Sequence, residues 1–249
     1  MPDEEFTEGG QPIYRYTEPE PGWTPAEPDF DLRQHVERHL THYLGESASV
    51  LHEVISDGIH IDVYIYEPTA QRPFYTLVTS GMSDQPMTVP AGAEGMEYAE
   101  LVIGLPAHWP MNKNHELNSQ GAFADANNYW PIQMLKYLAR MPHDYNSWLG
   151  WGHSIPNGDP PNEVANTRFV GTVIGPVSTL PDGFVQLETP GKTVWFYSLL
   201  PVYAEEMQFK LRTQEGGSAL IDKLANAGVN EVLDIHRINV CAERKLGRH

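Results

Sequence analysis

Leu32, Val36, Leu40 and Tyr43 recur at helical spacing, and this predicts a first helix from about Leu32 to Tyr43. Asp29 or Asp31 stands ready to cap it, and Gly45 suits a left-handed stop. The period then changes from helical to alternating. Ser49 to Ile55 and Ile59 to Tyr66 read as two strands, with Ile61, Val63 and Ile65 alternating against Asp62 and Tyr64 and with Asp57-Gly58 as the hairpin signal between them. Strands at 74–79 and 98–104 follow. A second helix is predicted over about Ile132 to Arg140, opened by Pro131 as a first-turn proline and ended by Pro142. Three late strands are expected at Phe169–Ile174, Phe184–Leu187 and Thr193–Leu200. An acidic turn, Glu205-Glu206, leads into a helix around Met207–Leu211. The last helix runs from Ser218, its cap, to Ala227, with Gly228 as the stop, and Ile235 and Ile238 read as a final strand. Strands and helices do not alternate strictly, so the expected class is α+β, with a mixed, largely antiparallel sheet flanked by helices.

Residues 1–30 break this patterning. Pro2, Pro12, Pro19, Pro21, Pro25 and Pro28 sit among scattered acids, which suits neither helix nor central strand. We therefore expect an extended arm over 1–30 and a single domain over 31–249. Tyr14, Tyr16, Trp23 and Phe30 offer the arm points of attachment, and the sequence leaves open whether it packs or is disordered.

A chain of 249 residues with 41% hydrophobic content can bury a sizeable core. Its net charge is −17, with nine acids and one base in residues 1–31. Both parts of the chain repel a phosphate backbone, which argues against a nucleic-acid partner. A basic protein partner fits this charge, as does simple solubility. The amino terminus lacks the apolar run of a secretory signal, and Val194 to Ala204 is far short of the ~20 residues needed to span a bilayer. With one cysteine, Cys241, read as a small apolar residue, the expectation is a cytoplasmic protein without a membrane partner.

The candidate chemistry is sparse. His35, His39 and His42 share one helical stripe, the spacing a metal would want, but Val36 stands where a zinc-hydrolase glutamate belongs. A solvated flank explains the stripe, so no metal and no cofactor is assigned. His153, with Ser154 adjacent and Asp159 near, invites a catalytic reading, but sequence neighbours rarely reach triad geometry and there is no Gly-x-Ser-x-Gly elbow. Glu205 and Glu206 are adjacent and so do not face each other on a helix. Gly216-Gly217 lacks the lysine of a phosphate loop. The tryptophans say more. Trp109, Trp130, Trp148 and Trp151 cluster in the middle of the chain, and 143–161 is mostly loop. Aromatics among Asn and Gly on loops are the make-up of a binding surface, and one or two of the four are expected to be exposed.

An ordered set of segments carries a family resemblance. It comprises the Tyr75–Met87 run through Thr79-Ser80-Gly81-Met82-Ser83-Asp84, the Glu100 to Trp109 run, Trp130-Pro131 with its helix, Gly152-His153-Ser154-Ile155-Pro156, and Phe196 to Glu206. Over roughly residues 32–240 the chain resembles the suppressor-of-fused (Sufu-like) domain family in its bacterial single-domain form. The resemblance implies a compact α+β domain whose business is protein binding, with no catalytic residues. Animal members are known to hold a transcription-factor peptide between this domain and a carboxy-terminal one. Here the chain ends at His249, so the two-jaw clamp is not expected, and Trp151-Gly152 occupies the place of an acidic residue that the animal proteins use. Similar bacterial proteins accompany secreted toxins as immunity partners.

The resulting expectation is a non-catalytic, cytoplasmic, acidic protein-binding module, an immunity-type or regulatory binder that occludes its partner, the partner being a basic toxin domain in the immunity case. Recognition is expected through loops 81–90, 108–118 and 148–161, with Ser83, Asp84, Trp151, His153, Asn157 and Asp159 as partner-binding residues. The alternative is an enzyme or small-ligand-binding protein, which requires a deep pocket around His153 and a shifted pKa there.

Overall fold

Asp29 sets the start of the first helix: its carboxylate accepts from the Leu32 N–H at 3.0 Å. In the computed structural model, which describes residues 5–17, 23–53, 56–112 and 121–242, a two-stranded hairpin of β1 (Glu5–Phe6) and β2 (Pro12–Ile13) precedes α1 (Phe30–Leu44). The sheet strands β3 (Ser49–Leu51), β4 (Asp62–Tyr66), β5 (Phe74–Ser80) and β6 (Tyr98–Pro106) come next. They are followed by α2 (Ala126–Asp144), β7 (Ser154–Pro156), β8 (Gly171–Gly175), β9 (Gln186–Thr189) and β10 (Lys192–Val202). The last elements are α3 (Ala204–Arg212) and α4 (Gly216–Asn226).

Strand order is β3-β4-β5-β6-β10-β8-β7, with β9 paired to β10 beyond the end of β8. The pairs are antiparallel except β6 with β10, which run parallel from Val194 opposite Tyr98 to Ser198 opposite Val102. The sheet is therefore mixed and largely antiparallel. Alternate residues of each strand serve opposite faces. Leu77, Leu101, Ile103 and Leu199 face α2 through Ile132, Leu135 and Leu138. On the other face, Val78, Val102, Val194 and Phe196 meet Leu32, Val36 and Leu40 of α1. Farther along that face, Val173, Leu200 and Val202 meet Met207, Leu220 and Leu224 of α3 and α4. Among the described residues no helix is long and apolar enough to cross a membrane.

Four local expectations are corrected. The second helix starts at Ala126, capped by Asp125, and runs through both Pro131 and Pro142. Proline there forfeits one intrahelical bond, and the buried Ile132, Leu135 and Leu138 face outweighs it. The β3–β4 ladder closes at Leu51 opposite Val63, so Asp57-Gly58 lies within the 52–61 connection and does not form a tight hairpin; residues 54–55 lie outside the described residues. Glu205 and Glu206 belong to the first turn of α3, where carboxylates favour the helix dipole. The stretch around Ile235 and Ile238 is a turn and strap, not a strand, and Ile238 is exposed.

Candidate functional site

Two polar networks shape the loops that were expected to bind. Gly81, with φ of 119°, ends β5 in a conformation that favours glycine, and a Cβ there would sit 2.0 Å from the His60 carbonyl. Its N–H donates to Glu100 Oε1 at 2.9 Å, as do the Ser83 N–H at 3.1 Å and the Ser83 hydroxyl at 2.6 Å. The Thr79 hydroxyl donates to Oε2 at 2.6 Å. Glu100 is 0% exposed, and burial pushes its pKa up while these donors pull it down. Asp84 is clasped by Arg33, whose Nε lies 2.9 Å and Nη2 2.6 Å from Oδ2. Ser83 and Asp84 are thus buried side chains that anchor the 81–85 turn, whereas Trp151, Asn157 and Asp159 are exposed and His153 is half-buried. The sequence signal for this burial is Glu100, the lone charged residue of an apolar strand.

The other four residues lie on one stretch. Trp151 is 48% exposed. Gly152 has φ of 78° and presses against α4, since a Cβ on Gly217 would fall 2.8 Å from its Cα. The His153 carbonyl accepts from the Ile174 N–H at 2.8 Å, which seats β7 at the sheet edge. The His153 ring meets Trp148 edge-on, with centroids 4.3 Å apart. Asn157 is exposed, but its amide donates to the Asn162 carbonyl at 3.0 Å and so closes its own loop. Asp159 is exposed, and Arg15 of the arm approaches it at 3.4 Å. Among the four clustered tryptophans, Trp109 and Trp130 are buried, Trp148 is half-buried and Trp151 is exposed. Loop 108–118 lies partly outside the described residues.

The arm packs here. The Gly9 N–H donates to the Leu211 carbonyl at 2.9 Å, and the Gln11 amide donates to the Thr213 carbonyl at 2.9 Å. Tyr14 lies 6.5 Å from the His153 ring, Tyr16 lies 5.2 Å from the Tyr145 ring, and the Tyr16 hydroxyl bonds to that of Ser147. Tyr14 and Tyr16 remain exposed, as Trp151 does.

The His153 pKa is pulled down to about 4, first by burial and then by the Lys210 ammonium beside it. The shift carries a prediction. In the unfolded chain an imidazole takes its proton at about 6.5. Between that value and about 4 the unfolded state therefore binds a proton that the folded state refuses, so stability falls as pH drops through this window. The contribution is at most about 3 kcal/mol, less for the partial exposure of the ring. His39 and His143 are also lowered by burial and act in the same direction. Urea denaturation at pH 7 and pH 4.5 should show a smaller loss in His153→Gln than in the parent. Parallel losses in the two proteins would mean that His153 is not a source.

The histidine stripe of α1 does not converge. His35 Nδ1 bonds to the Asp31 carbonyl at 2.8 Å, and His39 Nε2 bonds to the Phe184 carbonyl at 2.8 Å while its ring stacks on Phe196. An open depression lined by Gln34, Glu37, Arg38, Thr41, His42 and Glu46 runs along α1, and His153 is not part of it.

The suppressor-of-fused protein family model matches residues 57–238. No curated protein matches the chain. Among solved structures, a suppressor-of-fused homologue from Neisseria gonorrhoeae FA 1090 aligns with TM-score 0.54 at 19% identity, over 86% of this chain and 99% of its own. A Sufu–Fu complex aligns with TM-score 0.56 at 16% identity, over 87% of this chain and 93% of that one. Drosophila Suppressor of Fused aligns with TM-score 0.55 at 15% identity, over 88% of this chain and 52% of its own. These likenesses establish the fold.

Proposed function

The chain belongs to the suppressor-of-fused family, and from that premise we propose that it is a non-catalytic protein-binding module, an immunity-type or regulatory binder that occludes its partner. One observation carries the reading. Trp151, Tyr14 and Tyr16 are exposed, Tyr14 lies 6.5 Å from the ring of His153, two residues after Trp151, and Arg15 between the two tyrosines reaches Asp159 at 3.4 Å. Large amphipathic rings lose little conformational freedom on binding and give hot spots. The presence of a family fold in a Sufu–Fu complex supports a protein as the ligand. A net charge of −17 would steer a basic partner, such as a toxin domain, towards a cytoplasmic protein of this kind. Ser83 and Asp84 would act by holding the neighbouring turn rather than by touching the partner.

The test places a photo-crosslinking residue at Trp151 in the intact chain, with Tyr137 on α2, also exposed, as the control position. One protein captured from Trp151 and absent from Tyr137 is the expected result. With that protein purified, Trp151→Ala plus His153→Ala should raise Kd by about 100-fold or more. Capture equal at both positions, or a Kd within threefold of the parent, would refute the placement.

A further inference from the structure

The loop between β3 and β4 gathers a second cluster that no part of the binding surface uses. Among the described residues His52, His60 and Asp62 present ligand atoms that all lie within 4.8 Å of one another. His60 Nε2 is 2.9 Å from Asp62 Oδ1, and His52 Nδ1 is 3.2 Å from the same oxygen. Ligands held at 2.0–2.1 Å around a tetrahedral ion stand about 3.3 Å apart. The set is therefore close to a coordination shell, and His52, whose side chain is 68% exposed, is free to turn into it.

The hydrogen bonds around His60 fix which of its nitrogens faces the cluster. Ser56 Oγ donates to Glu53 Oε2 at 2.8 Å and lies 2.8 Å from His60 Nδ1. Ser56 thus links His60 Nδ1 to the Glu53 carboxylate, and Nε2 is the nitrogen turned to Asp62. Nε2 stands 2.9 Å from Asp62 Oδ1, and imidazole nitrogen and carboxylate oxygen are both zinc-binding atoms. The same relay is the outer support that metal-binding imidazoles use, an N–H tied back towards a carboxylate. Glu53 is itself held by Arg140 at 2.6 Å, and Arg33 takes Asp62 Oδ2 at 3.2 Å, while Oδ1 faces the two imidazoles and accepts the Glu53 N–H at 3.3 Å.

We propose that His52, His60 and Asp62 form a site for a zinc-class divalent ion, with a fourth position open to solvent. Two imidazoles and one carboxylate suit zinc, cobalt or nickel, not the all-oxygen shells of calcium and magnesium. The ion would tie the 52–61 loop to the first residue of β4.

The test uses the tag-free full chain, stripped with a chelator and titrated calorimetrically with zinc. The expected result is one zinc per chain with micromolar or tighter Kd. His52→Ala, on an exposed side chain that leaves the fold intact, should weaken binding at least tenfold, while His35→Ala plus His42→Ala leaves it unchanged. Cobalt should give the intense visible bands of a tetrahedral site, lost in His52→Ala. Binding weaker than about 100 μM, or binding that His52→Ala leaves untouched, would overturn the assignment.

Discussion

Replacing Glu100 with alanine is expected to abolish most of the protein's stability, while glutamine at the same position is tolerated. The alanine variant strands four donors at once: the Thr79 hydroxyl, the Gly81 N–H, and the N–H and hydroxyl of Ser83. Each buried donor left without a partner costs about 1–3 kcal/mol, so the sum, about 4–6 kcal/mol after some relaxation, rivals the total stability of an ordinary domain. Glutamine keeps the oxygen that receives Gly81 and Ser83. Its amide nitrogen faces Thr79 Oγ1, which already accepts from the Leu101 N–H at 2.8 Å and can rotate its proton away. Glutamine also removes the cost of a buried charge, so a loss within about 2 kcal/mol is expected. Urea midpoints of the two variants decide the matter. An alanine variant within about 1 kcal/mol of the parent would mean that these hydrogen bonds contribute little.

Arg237→Ala is the second large effect. The guanidinium meets Glu206 as a two-pronged fork, at 2.7 and 2.6 Å, and also donates to the carbonyls of Ile238 and Pro201. It lies 4.8 Å from the Tyr203 ring and 5.1 Å from that of Phe169. Glu206, 0% exposed, takes the Val240 and Tyr203 N–H groups as well. Removing the arginine leaves a buried carboxylate without its counter-charge, at a cost of about 3–5 kcal/mol. Arg237→Lys should fall between, because an ammonium cannot span both oxygens. Combining Arg237→Ala with Glu206→Gln should cost less than the two single changes added together. Strict additivity of the two, or a loss below about 1 kcal/mol for Arg237→Ala alone, would show that the pair is not coupled in this way.

What the chain announces in advance is what local chemistry settles. The first helix was legible to within two residues at each end, because Asp29 supplies the cap and Leu32, Val36 and Leu40 keep one period. The second helix was not, because its first turn, Ala126-Asn127-Asn128, is polar and Pro131 read as its opening residue; the sheet face that holds it lies elsewhere in sequence. The strap around Arg237 mimics a strand in sequence, since Ile235 and Ile238 have no local feature that reveals a carboxylate 31 positions before Arg237. The exposed Trp151 and the half-buried His153 follow from a loop composition that the sequence displays. The inward turn of Ser83 and Asp84 does not, because it depends on Glu100 and Arg33 arriving from other elements. The His52, His60 and Asp62 group is hidden in sequence for the same reason: the connection between β3 and β4, not a helical repeat, brings them together.

The side-by-side alignment of β6 with β10 has a kinetic corollary. Strands from β3 to β6 zip to near neighbours, as do β7 with β8 and β9 with β10, each across a modest stretch of chain. Joining the two groups requires segments 96 positions apart to find each other, and the entropy of that search precedes any reward. Formation of this seam should therefore govern how fast the newly made chain becomes native, and each half should gain local order before the whole acquires cooperativity.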